Sequence, residues 1–219
     1  MHPNPDRDRI AAYYDQLVDK YGYSRRALDV LRKDSLLVRY QVLSEVLNLT
    51  GKRVLEVGCG FGDLGAFLKT RYKNLEYVGV DISLRMIEVG SQIHPDLDLR
   101  HKDILGWPPS DTFDVVLAQG LFYLLEDDAE RKMHLLIRTM FNLAKEALAF
   151  CTLSTWASTL NDGEFHADPL KTTAFCRQLT SRLVLRHDYL PNDFAVYLYR
   201  SESRKSRGSF WTFSPKDSR

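Results

Sequence analysis

Several features are scarce in this chain of 219 residues. No charge of one sign dominates: 30 basic residues face 29 acidic ones, for a net charge of +1. Such a surface sets up no long-range field for a polyanion, which argues against a nucleic-acid partner or an anionic membrane surface. No long hydrophobic run is present. The longest uncharged apolar stretch, VVLAQGLFYLL, falls well short of the roughly 20 residues a membrane span requires. Cysteine is sparse: Cys59, Cys151 and Cys176 are odd in number and none stand in C-x-x-C spacing. This excludes a disulfide framework and a zinc knuckle. The first residues, MHPNPDRDR, are polar and lack the apolar segment of a secretory leader, so a reduced, cytoplasmic setting is expected.

What is present is enough apolar residue, 44%, for a substantial core, and a strand–helix alternation. After two prolines in the first seven residues, Ile10, Tyr14, Leu17, Val18 and Tyr21 share one helical face that Gly22 ends. Leu36, Tyr40, Leu43 and Leu47 mark a second helix that stops near Gly51. Strands are then predicted over Arg53–Val57, Leu75–Ile82, Leu97–His101, Phe113–Gln119 and Ala147–Leu153. Helices between them start near Leu64, at Ser83, at Asp127 or Asp128 and at Asp168-Pro169, the last with proline in its first turn. The run FDVVLAQ has no polar side, as expected of a strand covered on both faces. Arg182–Tyr189 and Phe194–Arg200 read as a closing antiparallel hairpin. The fold class predicted is α/β: a Rossmann-like, seven-stranded, mostly parallel sheet with helices on both faces and a C-terminal antiparallel hairpin. The organisation expected is a helical cap or lid over residues 1–35, a main domain over 36–200 and a flexible tail over 201–219, whose apolar residues are Phe210, Trp211 and Phe213.

The stretch VLEVGCGFGDLG concentrates the chemistry. Two registers fit it. Gly60, Gly62 and Gly65 match G-x-G-x-x-G, the dinucleotide fingerprint, with Asp81 ending the next strand at about the 20-residue distance that sets a carboxylate on a ribose. The other register is Glu56-x-Gly58-x-Gly60-x-Gly62, with an acid inside the strand. This second register resembles the first motif of class I S-adenosylmethionine-dependent methyltransferases, (D/E)xGxGxG. VGVDIS, His101-Lys102-Asp103-Ile104 and FDVVLAQGLFY resemble the second to fourth motifs, in order. The resemblance covers roughly residues 36 to 200 and implies S-adenosylmethionine as cofactor, with S-adenosylhomocysteine as product. It implies that Gly58, Cys59, Gly60 and Gly62 form the loop at the cofactor's amino-acid end, with Glu56 serving its ammonium group or ordering the loop. Asp81 and Ile82 take the ribose side, Met86 packs there, Asp103 and Ile104 meet the adenine, and Gln119 and Gly120 form the ligand edge of the fourth strand. Cys59 is expected to be a small filler, since nothing near it activates a thiol.

The acceptor is approached by exclusion. The segment after the fourth strand carries neither the (N/D/S)PP(Y/F) motif of base-amine methylation nor a Pro-Cys nucleophile, and no acid or histidine cluster has metal-site spacing. A small-molecule acceptor methylated on oxygen or nitrogen remains. The expected acceptor regions are the first helix, with Tyr13, Tyr14, Tyr21 and Tyr23, and the loop from Ser154 to Asp168. His166 is the candidate general base, and Arg25, Arg26 or Arg39 a candidate carboxylate partner. His134 is expected on an outer helix face. Two alternatives stand beside this reading: a nicotinamide-dependent oxidoreductase using Gly60, Gly62 and Gly65, and a non-catalytic methyltransferase-like binding module. A tyrosine-x-x-x-lysine pair, the proton relay of short-chain dehydrogenases, is absent. Sequence leaves the oligomeric state open.

Overall fold

The computed structural model describes residues 5–29, 33–107 and 110–200. The tail over 201–219 lies outside them. Two helices come first, α1 (Pro5–Tyr21) and α2 (Lys33–Ser44). Then β1 (Arg53–Val57), α3 (Asp63–Arg71), β2 (Glu76–Asp81), α4 (Leu84–Ile93), β3 (Asp98–His101) and β4 (Phe113–Gln119) follow. The chain continues through α5 (Ala129–Leu143), β5 (Ala144–Leu153), α6 (Pro169–Leu179), β6 (Leu183–Arg186) and β7 (Asp193–Tyr199).

The seven strands form one sheet in the order β3-β2-β1-β4-β5-β7-β6. The pairs up to β4–β5 are parallel, while β7 runs antiparallel to both β5 and β6. The strand order reverses direction between β1 and β4, which makes that crevice the switch point where open α/β sheets receive ligands. One face packs Leu36, Leu43 and Leu49 with Leu64 and Leu68 of α3; the other packs Met133, Ile137 and Met140 of α5 with Phe175 of α6. Covered on both sides, β4 is buried from Val115 to Ala118, which accounts for its unbroken apolar run.

Helix ends follow their local chemistry. Ser83 Oγ accepts the Met86 N–H at the start of α4, and Asp168 Oδ1 accepts those of Leu170 and Lys171 at the start of α6. Boundaries differ from the sequence reading where no loop intervenes. At Ala144 the N–H closes α5 onto the Met140 and Phe141 carbonyls while its own φ and ψ are already extended, so β5 starts three residues earlier than expected. Conversely, α2 ends at Ser44, where short-range bonds from Glu45 and Val46 tighten the chain out of the helix.

The expected cap is docked rather than separate. Val18 of α1 and Ala27 pack with Phe61 of the glycine loop and Met86 of α4. Asp15 Oδ1 accepts both the Ser83 hydroxyl and the Arg85 N–H, at 2.6 and 3.1 Å. α2 already begins at Lys33, so its first three residues fall inside the segment assigned to the cap.

Candidate cofactor site

The loop after β1 is stapled down by backbone bonds. The N–H groups of Gly58 and Cys59 both donate to Val80 O, at 2.9 and 3.1 Å, and that of Gly62 to Cys59 O. Gly58 and Gly60 have φ of +72° and +54°, a conformation that disfavours a side chain. The Gly60 N–H donates to Asp81 Oδ2 at 2.8 Å, and Asp81 Oδ1 accepts the Ser83 N–H at 2.9 Å. Asp81 therefore stands at the tip of β2 with each oxygen accepting a backbone N–H. Burial raises its pKa, opposed by the N–H groups of Ser83, Gly60 and Ile82.

Beneath the loop, Glu56 is buried at 3% exposure and accepts the Tyr77 hydroxyl. Loss of hydration pushes its carboxyl up to about 8, against the help of that bond, and the charges of Asp63 and Asp81 add to the rise. The Tyr77 ring explains two other glycines. A Cβ on Gly65 would lie 2.5 Å from it, and one on Gly79 would lie 2.9 Å from the Tyr77 hydroxyl. Gly65 is thus required by packing around Tyr77.

The remaining predicted residues fall as follows. Cys59 is buried with its thiol directed to Gly60 O, and burial raises its pKa well above the ordinary range, consistent with a filler. Met86 is buried against α1. Ile82 O accepts or faces His101 Nε2 at 3.0 Å, tying the tip of β2 to β3. Asp103 caps a short 3-10 turn through the Leu105 N–H, with its other oxygen 3.4 Å from Arg7 Nε. Ile104 lies mostly within the core, at 4% exposure. At the tip of β4, Gly120 has φ +61°, and Gln119 Oε1 is buried without a hydrogen-bond partner.

A cluster the sequence reading only half identified roofs this edge. Tyr14 and Tyr123 share a hydroxyl hydrogen bond of 2.5 Å, Tyr13 donates to Asp29 Oδ2 at 2.8 Å, and Tyr123 reaches the same oxygen at 3.3 Å. Tyr13 and Tyr14 were marked by their helical face; Asp29 and Tyr123 carried no periodic signal. Tyr23 instead donates to Asp63, and Tyr21 packs in the small cluster with Val18.

Three expectations are redirected. Arg39 is no ligand partner: it makes a two-pronged ion pair with Asp193, at 2.5 and 3.0 Å, across the α2 face of the sheet. His134 is not on an outer face but stacks on Phe175 with ring centres 3.8 Å apart. His166 lies in the loop after β5, with its ring turned toward the first turns of α5 and α6 and into a cavity that shares no lining residue with the glycine loop, Asp81 or Gln119. Among the described residues no group of three or more acids, cysteines or histidines is placed to hold a metal ion. Among the described residues no helix is long and apolar enough to cross a membrane.

The seven-stranded mixed sheet and the geometry of its strand tips are similar to those of S-adenosylmethionine-dependent methyltransferases. Residues 54–146 match the family model described as a methyltransferase domain. Curated relatives include the trans-aconitate 2-methyltransferases of Azoarcus sp. (strain BH72), 32% identical over 76 residues, and of Klebsiella pneumoniae (strain 342), 28% identical over 101 residues. These matches cover 35% and 46% of this chain and 30% and 40% of the relatives, so the similarity spans about a third of their length. Among solved structures, magnesium protoporphyrin IX methyltransferase from Synechocystis PCC 6803 aligns with TM-score 0.67 at 16% identity, over 92% of this chain and all of that one. N-methyltransferase NodS from Bradyrhizobium japonicum WM9 aligns with TM-score 0.60 at 19% identity, over 79% and 100%. At these identities the structures establish the shared fold.

Proposed function

We propose that this protein binds S-adenosylmethionine at the β1–β4 crevice and transfers its methyl group to an oxygen or nitrogen of a small molecule. The observation that carries this reading is the state of the glycine loop. A pyrophosphate-binding loop offers free backbone N–H groups to its anion. Here those of Gly58, Cys59, Gly60 and Gly62 are all engaged within the protein. What the edge offers instead is acceptors: the Asp81 carboxylate for a ribose diol, and the unpartnered Gln119 Oε1 for an N–H donor. That acceptor set fits an adenosyl group joined to an amino acid. Gly65, the third glycine of the dinucleotide register, is accounted for by the Tyr77 ring, which removes the need for the oxidoreductase reading.

The cofactor, when bound, supplies an electrophilic methyl group on a sulfonium leaving group. The chain's part is alignment and exclusion of water. Asp81 and Ile82 hold the ribose side, Glu56 underlies the loop, Gly58 and Gly60 allow close approach, and Asp103 stands at the adenine end. The Tyr13, Tyr14, Tyr123 and Asp29 cluster closes the edge from above, where it can orient an acceptor. His166 serves as base only for an acceptor that extends into its separate cavity. The names of the relatives and neighbours, which methylate trans-aconitate or a porphyrin, support a small acceptor. The near-neutral charge supports a partner other than nucleic acid. Three buried free cysteines support a reducing, cytoplasmic location.

Calorimetric titration with S-adenosylhomocysteine, NAD and NADP in parallel tests the reading. Micromolar binding of the first alone is the expected result. Binding of a nicotinamide cofactor, or of none of the three, overturns it.

A further inference from the structure

A cavity of about 220 Å3 opens between the first turns of α5 and α6, on the far side of the loop that follows β5. The Phe165 N–H donates to Tyr123 O at 2.7 Å, so this loop is zipped to the one after β4 and divides the cavity from the cofactor crevice.

Two polar atoms in residues lining the cavity have no hydrogen-bond partner. His166 Nε2 belongs to a side chain 7% exposed, and Thr172 Oγ1 to a residue 1% exposed. Buried polar atoms in this state are rare in native folds and call for a ligand or an ordered solvent molecule. His166 Nδ1 lies 3.4 Å from Ser154 O, and the ring places Nε2 at the cavity wall. Glu164 Oε2 stands 3.5 Å from Nε2 without hydrogen-bond geometry. The charged groups of the wall are Glu130 and Asp168 against one ammonium, Lys171. Asp168 Oδ1 is occupied by two backbone N–H groups, which leaves Oδ2. The rest of the wall includes the apolar Met133 and Phe165.

The wall therefore presents carboxylate oxygens, hydroxyls and an imidazole around an apolar floor. Its complement is a small molecule with N–H donors and a positive charge on an apolar body. We propose that this cavity is a binding site for a small apolar primary ammonium compound, separate from the cofactor crevice. The proposal does not depend on the cofactor reading, because the cavity shares no lining residue with the glycine loop, Asp81 or Gln119.

Two probes share one body and differ in charge: 2-phenylethylamine and phenylacetate. Binding is followed on the full chain by the imidazole resonance of His166 and the methyl resonance of Met133. The amine is expected to shift both with a dissociation constant of about 1–10 mM, as befits a ligand of its size. Phenylacetate should bind at least about tenfold more weakly, since the carboxylates repel it. Thr172→Val should weaken amine binding by about tenfold through loss of one buried hydrogen bond. Glu130→Gln, at an exposed position that leaves the core intact, should weaken it by about threefold. Saturating S-adenosylhomocysteine should leave it unchanged. The proposal is overturned if the amine does not bind, if phenylacetate binds equally well, if neither variant alters the affinity, or if S-adenosylhomocysteine displaces the amine.

Discussion

Glu56 gives the sharpest test of how the glycine loop is supported. Its carboxyl is buried, accepts the Tyr77 hydroxyl, and is pushed by burial from 4.5 up to about 8. Below pH 4.5 both the folded and the unfolded chain hold this proton. Between 4.5 and about 8 the folded protein keeps a proton that the unfolded chain has lost, so stability falls as pH rises through that window. Above about 8 the full cost of a buried carboxylate stands. The gap corresponds to at most about 5 kcal/mol, at 1.36 kcal/mol for each pH unit. Glu56→Gln removes the titration and keeps an acceptor for Tyr77. Relative to wild type, the variant should be near neutral at pH 5 and stabilised by about 2–5 kcal/mol at pH 9. Urea unfolding of both proteins at pH 5, 7 and 9 measures the difference, and groups such as Asp81 largely cancel in it. Stability curves that stay parallel across this range would falsify the argument, because they would mean that the fold carries Glu56 ionised. A second readout concerns the ligand. If the ammonium of a bound S-adenosylhomocysteine sits near Glu56, binding at pH 7 releases a proton, which calorimetry in buffers of different ionisation enthalpy detects in wild type and not in the variant.

Asp81→Ala removes the acceptors for the Gly60 and Ser83 N–H groups, so it should cost about 1–3 kcal/mol by thermal unfolding and reduce S-adenosylhomocysteine affinity by at least about a hundredfold. Normal binding by a folded variant would show that the β2 carboxylate does not face the ribose. Gly65→Ala forces a Cβ to within 2.5 Å of the Tyr77 ring and should destabilise by about 1–3 kcal/mol in urea, while an unchanged midpoint would mean the helix shifts freely. Arg39→Met leaves the Asp193 carboxylate buried and unpaired, for a loss of about 3–5 kcal/mol. Arg39→Met with Asp193→Asn should recover most of that loss, and failure to recover would give the guanidinium a role beyond its ion pair.

Much of the fold was legible because it rests on periodicity. The apolar run of β4 and the caps at Ser83 and Asp168 reflect forces local in sequence and appear where expected; the closing hairpin forms as well, but with a longer turn than residues 190–193, since β6 ends at Arg186 and β7 begins at Asp193. The cofactor crevice was legible for a related reason: β1, its loop and the tip of β2 are neighbours in both sequence and space. What escaped depends on distance along the chain. Arg39 and Asp193 lie on opposite sides of the domain's sequence, and nothing local announces their pairing. The same holds for Tyr14 with Tyr123, and for Tyr77, whose ring between two glycines explains spacing that otherwise reads as a dinucleotide motif. His166 was singled out by its long loop as the candidate general base, and the fold places it at a cavity apart from the glycine loop. The direction of its ring depends on the Phe165–Tyr123 zipper, which only the fold reveals.

The unpartnered polar atoms show why function gathers where it does. Within the sheet, the ladder consumes backbone groups, and buried side chains such as Tyr197 and Tyr199 reach carbonyls of the neighbouring α2 segment, Val42 and Val46. At the carboxyl edge this arrangement ends. A strand tip is held by its neighbours, so a side chain there cannot turn to find a partner, and the loop above must either supply one or leave room. Asp81 is supplied, by Gly60 and Ser83. Gln119, one strand beyond β1 at the same edge, is left with its oxygen bare. His166 and Thr172, where the next loop enters α6, are left bare as well. These sites differ in what surrounds the bare atom: the Asp81 carboxylate and the glycine loop at the first, two carboxylates and an apolar floor at the second. A buried polar group held in place by its neighbours stays unmet, and the groups around it decide which ligand meets it.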